Sequence, residues 1–84
     1  MIFSVRIKAS AAKALRKLPQ ADRHRLIEAI DRLRETPTAG GALKGEFAGL
    51  RRLRVGRYRI IYEVIEAELV VLVIRIGHRK DVHR

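Results

Sequence analysis

Apolar and polar side chains alternate from the second residue to the eighth. Phe3, Val5 and Ile7 point one way; Ser4, Arg6 and Lys8 point the other. A period of two predicts a half-buried β-strand. The spacing then lengthens. Ala11, Leu15 and Leu18 recur at helical intervals, with Ser10 placed to cap this first helix and Pro19 to end it. A second helix is predicted over about residues 21–35. Leu26, Ile27, Ile30 and Leu33 form its apolar stripe, and Arg23, Arg25, Glu28 and Arg32 lie mostly off it. Thr36-Pro37 closes it, because a residue before proline avoids the helical region. With almost no chain between them, the two helices are expected to form an antiparallel hairpin.

Residues 36–41 are turn-rich. Beyond them the period returns to two. Residues 50–55, 58–65 and 69–76 read as strands, joined by Gly56-Arg57 and Glu66-Ala67-Glu68. Connections this short predict an antiparallel meander. The order β-α-α-β-β-β makes this an α+β chain, a helical hairpin packed on one face of a mainly antiparallel sheet. A length of 84 residues allows one domain, residues 1–84, with a core that is small for its surface. No repeat, linker or low-complexity tract interrupts it.

Hydrophobic residues make up 48%, too many for a disordered tail. Cysteine is absent, which excludes a disulfide framework or a thiolate metal site and fits a cytoplasmic location. Charge breaks up the first residues before any signal-like run develops. The longest apolar stretch, residues 69–74, is too short to cross a bilayer, so no membrane role is expected.

Charge changes the picture most. Nineteen Lys and Arg face nine Asp and Glu, a net charge of +10. Such a field attracts polyanions: RNA, DNA, an anionic membrane or an acidic protein. Arginine dominates, and its planar fork suits bidentate contact with phosphate. The aromatics are few, Phe3, Phe47, Tyr58 and Tyr62, so a broad base-stacking platform is not expected. The charge is also uneven. Lys44, Arg51, Arg52, Arg54, Arg57 and Arg59 face only Glu46 over residues 44–59. Arg75, Arg79, Lys80 and Arg84 face only Asp81 over residues 75–84.

Strand parity sharpens this. Arg52 and Arg54 share one face of their strand, with Arg51, Leu53 and Val55 on the other. On the next strand Arg59 lies with Ile61, opposite in parity to Tyr58, Ile60 and Tyr62. Arg52, Arg54 and Arg59 therefore meet on the open side of the sheet if they face away from the helices, and Arg79 can reach the same surface. Like charges this close destabilise a sheet, and such conflicts concentrate at functional sites. The plainer alternative is a solvated basic face, or cations that guard a sheet edge against aggregation.

These segments resemble a known family. Leu43-Lys44-Gly45-Glu46, then Gly49-Leu50-Arg51-Arg52-Leu53-Arg54-Val55-Gly56, then Tyr58-Arg59-Ile60-Ile61-Tyr62 resemble the central signature of RelE/ParE toxins. Val73-Ile74-Arg75-Ile76-Gly77-His78-Arg79-Lys80-Asp81-Val82 resembles the closing motif, and the helices flanking Leu18-Pro19 are similar to the family's hairpin. The resemblance implies a compact α+β toxin, of the RelE type, that enters the ribosomal acceptor site and cuts messenger RNA. It implies a catalytic set of Arg54, Arg59, Arg79 and His83. Arg52 matches, with Arg54, the family's pair of cations on its strand. Lys44, Arg51, Arg57, Arg75 and Lys80 fall to RNA or ribosome binding. His83 stands where the family's last motif usually has tyrosine, a departure that points to attenuated activity unless histidine serves in its place.

RNA carries its own nucleophile, the 2′-hydroxyl, so the implied reaction needs neither metal nor cofactor. In this scheme Arg59 and Arg79 clamp the scissile phosphate. Arg52 and Arg54 hold flanking phosphates. His83 is the best proton carrier, because arginine holds its proton too tightly. His78 reads as structural or substrate-contacting, His24 as solvated, Tyr58 and Tyr62 as core, and Glu46 as a salt-bridging loop residue. The resemblance also implies a RelB-like acidic antitoxin, through which any DNA association would be indirect. Two other functions share these features: a ParE-like inhibitor of DNA gyrase, and a basic RNA-binding domain without catalysis.

Overall fold

The computed structural model describes residues 2–78. Its elements are β1 (Ser4–Ile7), α1 (Ala9–Arg16), α2 (Gln20–Arg32), β2 (Gly41–Ala42), β3 (Leu50–Val55), β4 (Tyr58–Ile65) and β5 (Val70–His78). Single 3-10 turns lie at Gly45–Phe47 and Glu66–Glu68. The strands form one sheet in the order β1-β5-β4-β3-β2. The meander of β3, β4 and β5 is antiparallel, as its short turns require. β1 reaches the far side of β5 through the two helices and pairs with it in parallel, so the sheet is mixed.

Both helices bury their stripes against one face of this sheet. Ala11 and Leu15 from α1, and Leu26, Ala29 and Ile30 from α2 with Leu33 just beyond it, meet Ile60, Tyr62, Val71, Val73 and Ile76. Among the described residues no helix is long and apolar enough to cross a membrane.

Some local expectations change. Ser10 lies inside α1 and caps nothing; Lys8 is the N-cap residue, and no side chain bonds the helix start. Pro19 is the N-cap residue of α2, where its missing N–H leaves no donor unsatisfied. Ile27 is 46% exposed while Leu26, Ile30 and Leu33 are at most 4% exposed. At ~100° per residue, Ala29 rather than Ile27 completes the buried stripe. β2 is an added strand of two residues, pairing Gly41 with Arg52 and Ala42 with Arg51. Too short and too glycine-rich to show a period, it leaves no pattern in the sequence.

The loop before β2 is pinned by Tyr62. Its hydroxyl donates to the Pro37 carbonyl at 2.6 Å and accepts the Gly40 N–H at 2.9 Å. Arg51 donates to the Gly40 carbonyl at 2.6 Å. A Cβ on Gly40 would stand 2.7 Å from the Arg52 carbonyl oxygen and 2.8 Å from the Tyr62 hydroxyl. Glycine is therefore required for the loop to close onto β3 and β4.

Candidate polyanion-binding site

The face of the sheet away from the helices carries the charge. Leu53 and Val55 of β3 pack toward the core, which turns Arg52 and Arg54 the other way. Ile60 and Tyr62 of β4 do the same for Arg59 and Ile61. The register places Arg54 opposite Arg59, Arg52 opposite Ile61, and Ile61 opposite Arg75. Two rows result, Arg54–Arg59–Gly77 and Arg52–Ile61–Arg75. Residues facing each other across a ladder are about 5 Å apart at Cα, and rows two residues apart are separated by roughly 7 Å.

Arg75 joins this face through a β-bulge. Val73 pairs with Tyr62 and Arg75 with Ile61, so Ile74 has no partner of its own on β4. Without that extra residue Arg75 would share a face with Val73, which is fully buried in the core. The bulge reverses the parity and turns the arginine outward.

Arg59 is 5% exposed, the one buried charged residue among those described. Arg54 and Arg75 are exposed and Arg52 is half-buried. A small open pocket of about 150 Å³ is lined by Arg54, Gly56, Tyr58 and Arg59. Among the described residues one ion pair is present, Arg34 with Asp31 at 3.2 Å. No described carboxylate neutralises Arg52 or Arg54. The outward-facing arginines make this a cationic face with a small pocket at its Arg54–Arg59 end.

Comparison with known proteins identifies the chain. A family model described as the ParE toxin of the type II toxin-antitoxin system parDE matches residues 5–83. The chain belongs to the RelE/ParE toxin family. It is 33% identical over 86 residues to Toxin RelG of Mycobacterium tuberculosis, covering 100% of this chain and 99% of that one. It superposes on the toxin-antitoxin complex RelBE2 of the same organism with a TM-score of 0.88 at 30% identity, covering 94% of this chain and 100% of that one. The archaeal RelE–RelB complex from Pyrococcus horikoshii gives 0.78 at 30% identity over 94% and 97%. The protein is thus a toxin of a type II toxin–antitoxin system with the RelE fold.

Within this RelE/ParE toxin the anticipated residues divide into groups. Arg52, Arg54 and Arg59 share the open face with Arg75. Arg57 is exposed on the turn between β3 and β4. Arg51 faces the helices beside Tyr62 and serves the Gly40 loop. Lys44 is exposed near the Leu50 end of β3, away from the Arg54–Arg59 row. Arg79, Lys80 and His83 lie outside the described residues.

A cluster next to this face has no counterpart in the sequence reading. The Tyr58 hydroxyl donates to Asp22 Oδ2 at 2.8 Å. The His78 ring stands edge-on to Tyr58, with centroids 5.8 Å apart and planes at 79°. The hydrogen bond to Asp22 is the main cause that raises the Tyr58 phenol above its ordinary pKa; burial and the charge of that carboxylate add to it, and Arg57 opposes. Burial raises Tyr62, against the Gly40 N–H and Arg51. Asp22 and Tyr58 are 36 positions apart, so no local pattern links them.

Proposed function

We propose that this toxin is a ribosome-dependent endoribonuclease that cuts messenger RNA in the acceptor site by attack of the 2′-hydroxyl on the adjacent phosphate. The observation that carries this reading is the directly opposed pair Arg54 and Arg59 at the wall of a cavity. Three tasks must be met: removal of the 2′-proton, stabilisation of added charge on the phosphate, and protonation of the leaving 5′-oxygen. Arg59, held in a desolvated position, stabilises that charge with Arg79. Arg54 and Arg52 grip flanking phosphates, helped by Arg75, Arg57 and Lys80. His83 exchanges the protons, a task that imidazole suits better than guanidinium. No step calls for a metal or cofactor. The reaction takes place where ribosomes are, in the cytoplasm.

The solved relatives include complexes with RelB-type antitoxins. For this toxin we propose a cognate acidic antitoxin that covers the cationic face. DNA is reached through that partner alone. The test is expression of the chain in cells with primer extension on a translated message. Cuts within codons that disappear in Arg59→Ala support the nuclease. The matching ParE family model favours a second reading, inhibition of DNA gyrase. Growth arrest with intact messages and a block in supercoiling would select it. RNA binding with steep salt dependence but no cut would select a non-catalytic RNA-binding domain.

A further inference from the structure

We infer that Asp22 and Tyr58 are positioning residues, which fix the outgoing end of β5 beside the Arg54–Arg59 row. This inference rests on the site proposed above. Tyr58 is the first residue of β4 and lies in register with His78, as Arg59 does with Gly77. Tyr58 and Arg59 are adjacent but face opposite sides of the sheet, so the backbone that sets one sets the other. The Tyr58 hydroxyl reaches Asp22 in the first turn of α2. Among the described residues this is the one side-chain hydrogen bond between a helix and the sheet. The His78 ring then rests edge-on against the tethered phenol, an arrangement favoured by the quadrupoles of the two rings. Gly77 adds no side chain opposite Arg59, so the strand is held there by its neighbours. The chain continues from His78 directly into Arg79. A tether on the helix side of the sheet thus orients the strand end from which a proposed catalytic arginine departs.

The role is read in Asp22→Ala, Asp22→Asn, Tyr58→Phe and the double variant Asp22→Ala/Tyr58→Phe. Asparagine keeps an acceptor for the phenol, and phenylalanine keeps the ring. Amide hydrogen exchange at Gly77 and His78 is measured by NMR, and kcat and KM for message cleavage on ribosomes are measured separately. Asp22 is on α2, so a change at β5 must travel through Tyr58. Asp22→Ala is expected to speed exchange about tenfold at whichever of the two amides donates into the β4–β5 ladder, since adjacent N–H groups of a strand point to opposite edges and the other serves as an internal reference. Asp22→Asn stays near the parent, and the double variant is no worse than Asp22→Ala. In step, kcat falls about tenfold with KM within roughly twofold, because the phosphate-gripping arginines are intact. Unchanged exchange in Asp22→Ala overturns the inference, as does faster exchange with an unaltered kcat. A parent chain that cuts no message overturns the nuclease reading alone, and the exchange data still decide the positioning.

Discussion

Arg54 and Arg59 stand directly opposite each other across the β3–β4 ladder, on the face turned away from the helices. Two guanidiniums in that relation repel, and no described carboxylate lies within 4.0 Å of Arg54. Like charges directly opposite weaken a sheet by up to about 1 kcal/mol, a cost that a bound phosphate would offset. The two roles separate in Arg54→Gln. The folded chain should become slightly more stable, by less than about 1 kcal/mol, in urea unfolding. Affinity for a short RNA should fall, and the slope of its logarithm against log salt should shrink by about one unit. A variant that loses stability and keeps the parent's salt slope would contradict the site.

Arg59 is expected to resist conservative replacement. The residue is 5% exposed and lines the pocket with Arg54. Lysine keeps the charge but offers no planar fork. Arg59→Lys should lower kcat for message cleavage by about 10²–10³, the range for loss of a preorganised charge stabiliser. RNA affinity should change far less, because one unit of charge is retained. Equal losses in affinity and kcat would mean that Arg59 only binds.

How much of this face the sequence displays depends on which strand is read. Alternation in β3 and β4 is regular, so the shared face of Arg52, Arg54 and Arg59 follows from parity alone. β5 breaks the rule. Its run of β-branched residues, Val70, Val71, Val73, Ile74 and Ile76, hides the bulge opposite Ile61 and Tyr62. Plain alternation would set Arg75 beside buried Val73, on the wrong side. Arg51 illustrates the converse: its charge marks it for a polyanion, yet its parity turns it toward Tyr62 and the Gly40 carbonyl. Asp22–Tyr58 was illegible for another reason, because a helix residue and a strand residue far apart in sequence meet only once the helix has docked. The order of elements and the meander were legible, since they rest on local period and short turns. The parallel pairing of β1 with β5 is a matter of topology, which local period does not encode.

Gly40 should tolerate no side chain. A Cβ there would be 2.7 Å from the Arg52 carbonyl and 2.8 Å from the Tyr62 hydroxyl. The loop would have to lift away, with the hydrogen bonds from Gly40 to Tyr62 and from Arg51 to Gly40 at risk. Overpacking and the strained bonds together predict a loss of about 2–4 kcal/mol for Gly40→Ala. Gly41→Ala is the control, since a Cβ there meets nothing within 4 Å and should change stability by less than about 0.5 kcal/mol. Thermal or denaturant unfolding of the two variants decides it, and equal stabilities would refute the close approach.

The two tyrosines give a test by pH, and they are the chain's only phenols. Both are raised above the ordinary value of 10.0, Tyr58 chiefly by its bond to Asp22 and Tyr62 chiefly by burial. Folding thus favours the neutral phenol. The stability this contributes is fully present below the unfolded pKa and is lost as pH climbs through the higher folded pKa. Phenolate absorbance of the folded chain should rise later than that of the chain in denaturant, with no component at the ordinary value. Asp22→Ala removes both the acceptor and the carboxylate charge and should bring one of the two phenols back toward 10.0, leaving the other in place. Tyr58→Phe isolates that other phenol, whose delay should persist, because burial among core residues does not depend on Asp22. Ionisation of either phenol at its ordinary value in the folded parent would mean that its hydroxyl lacks the environment described.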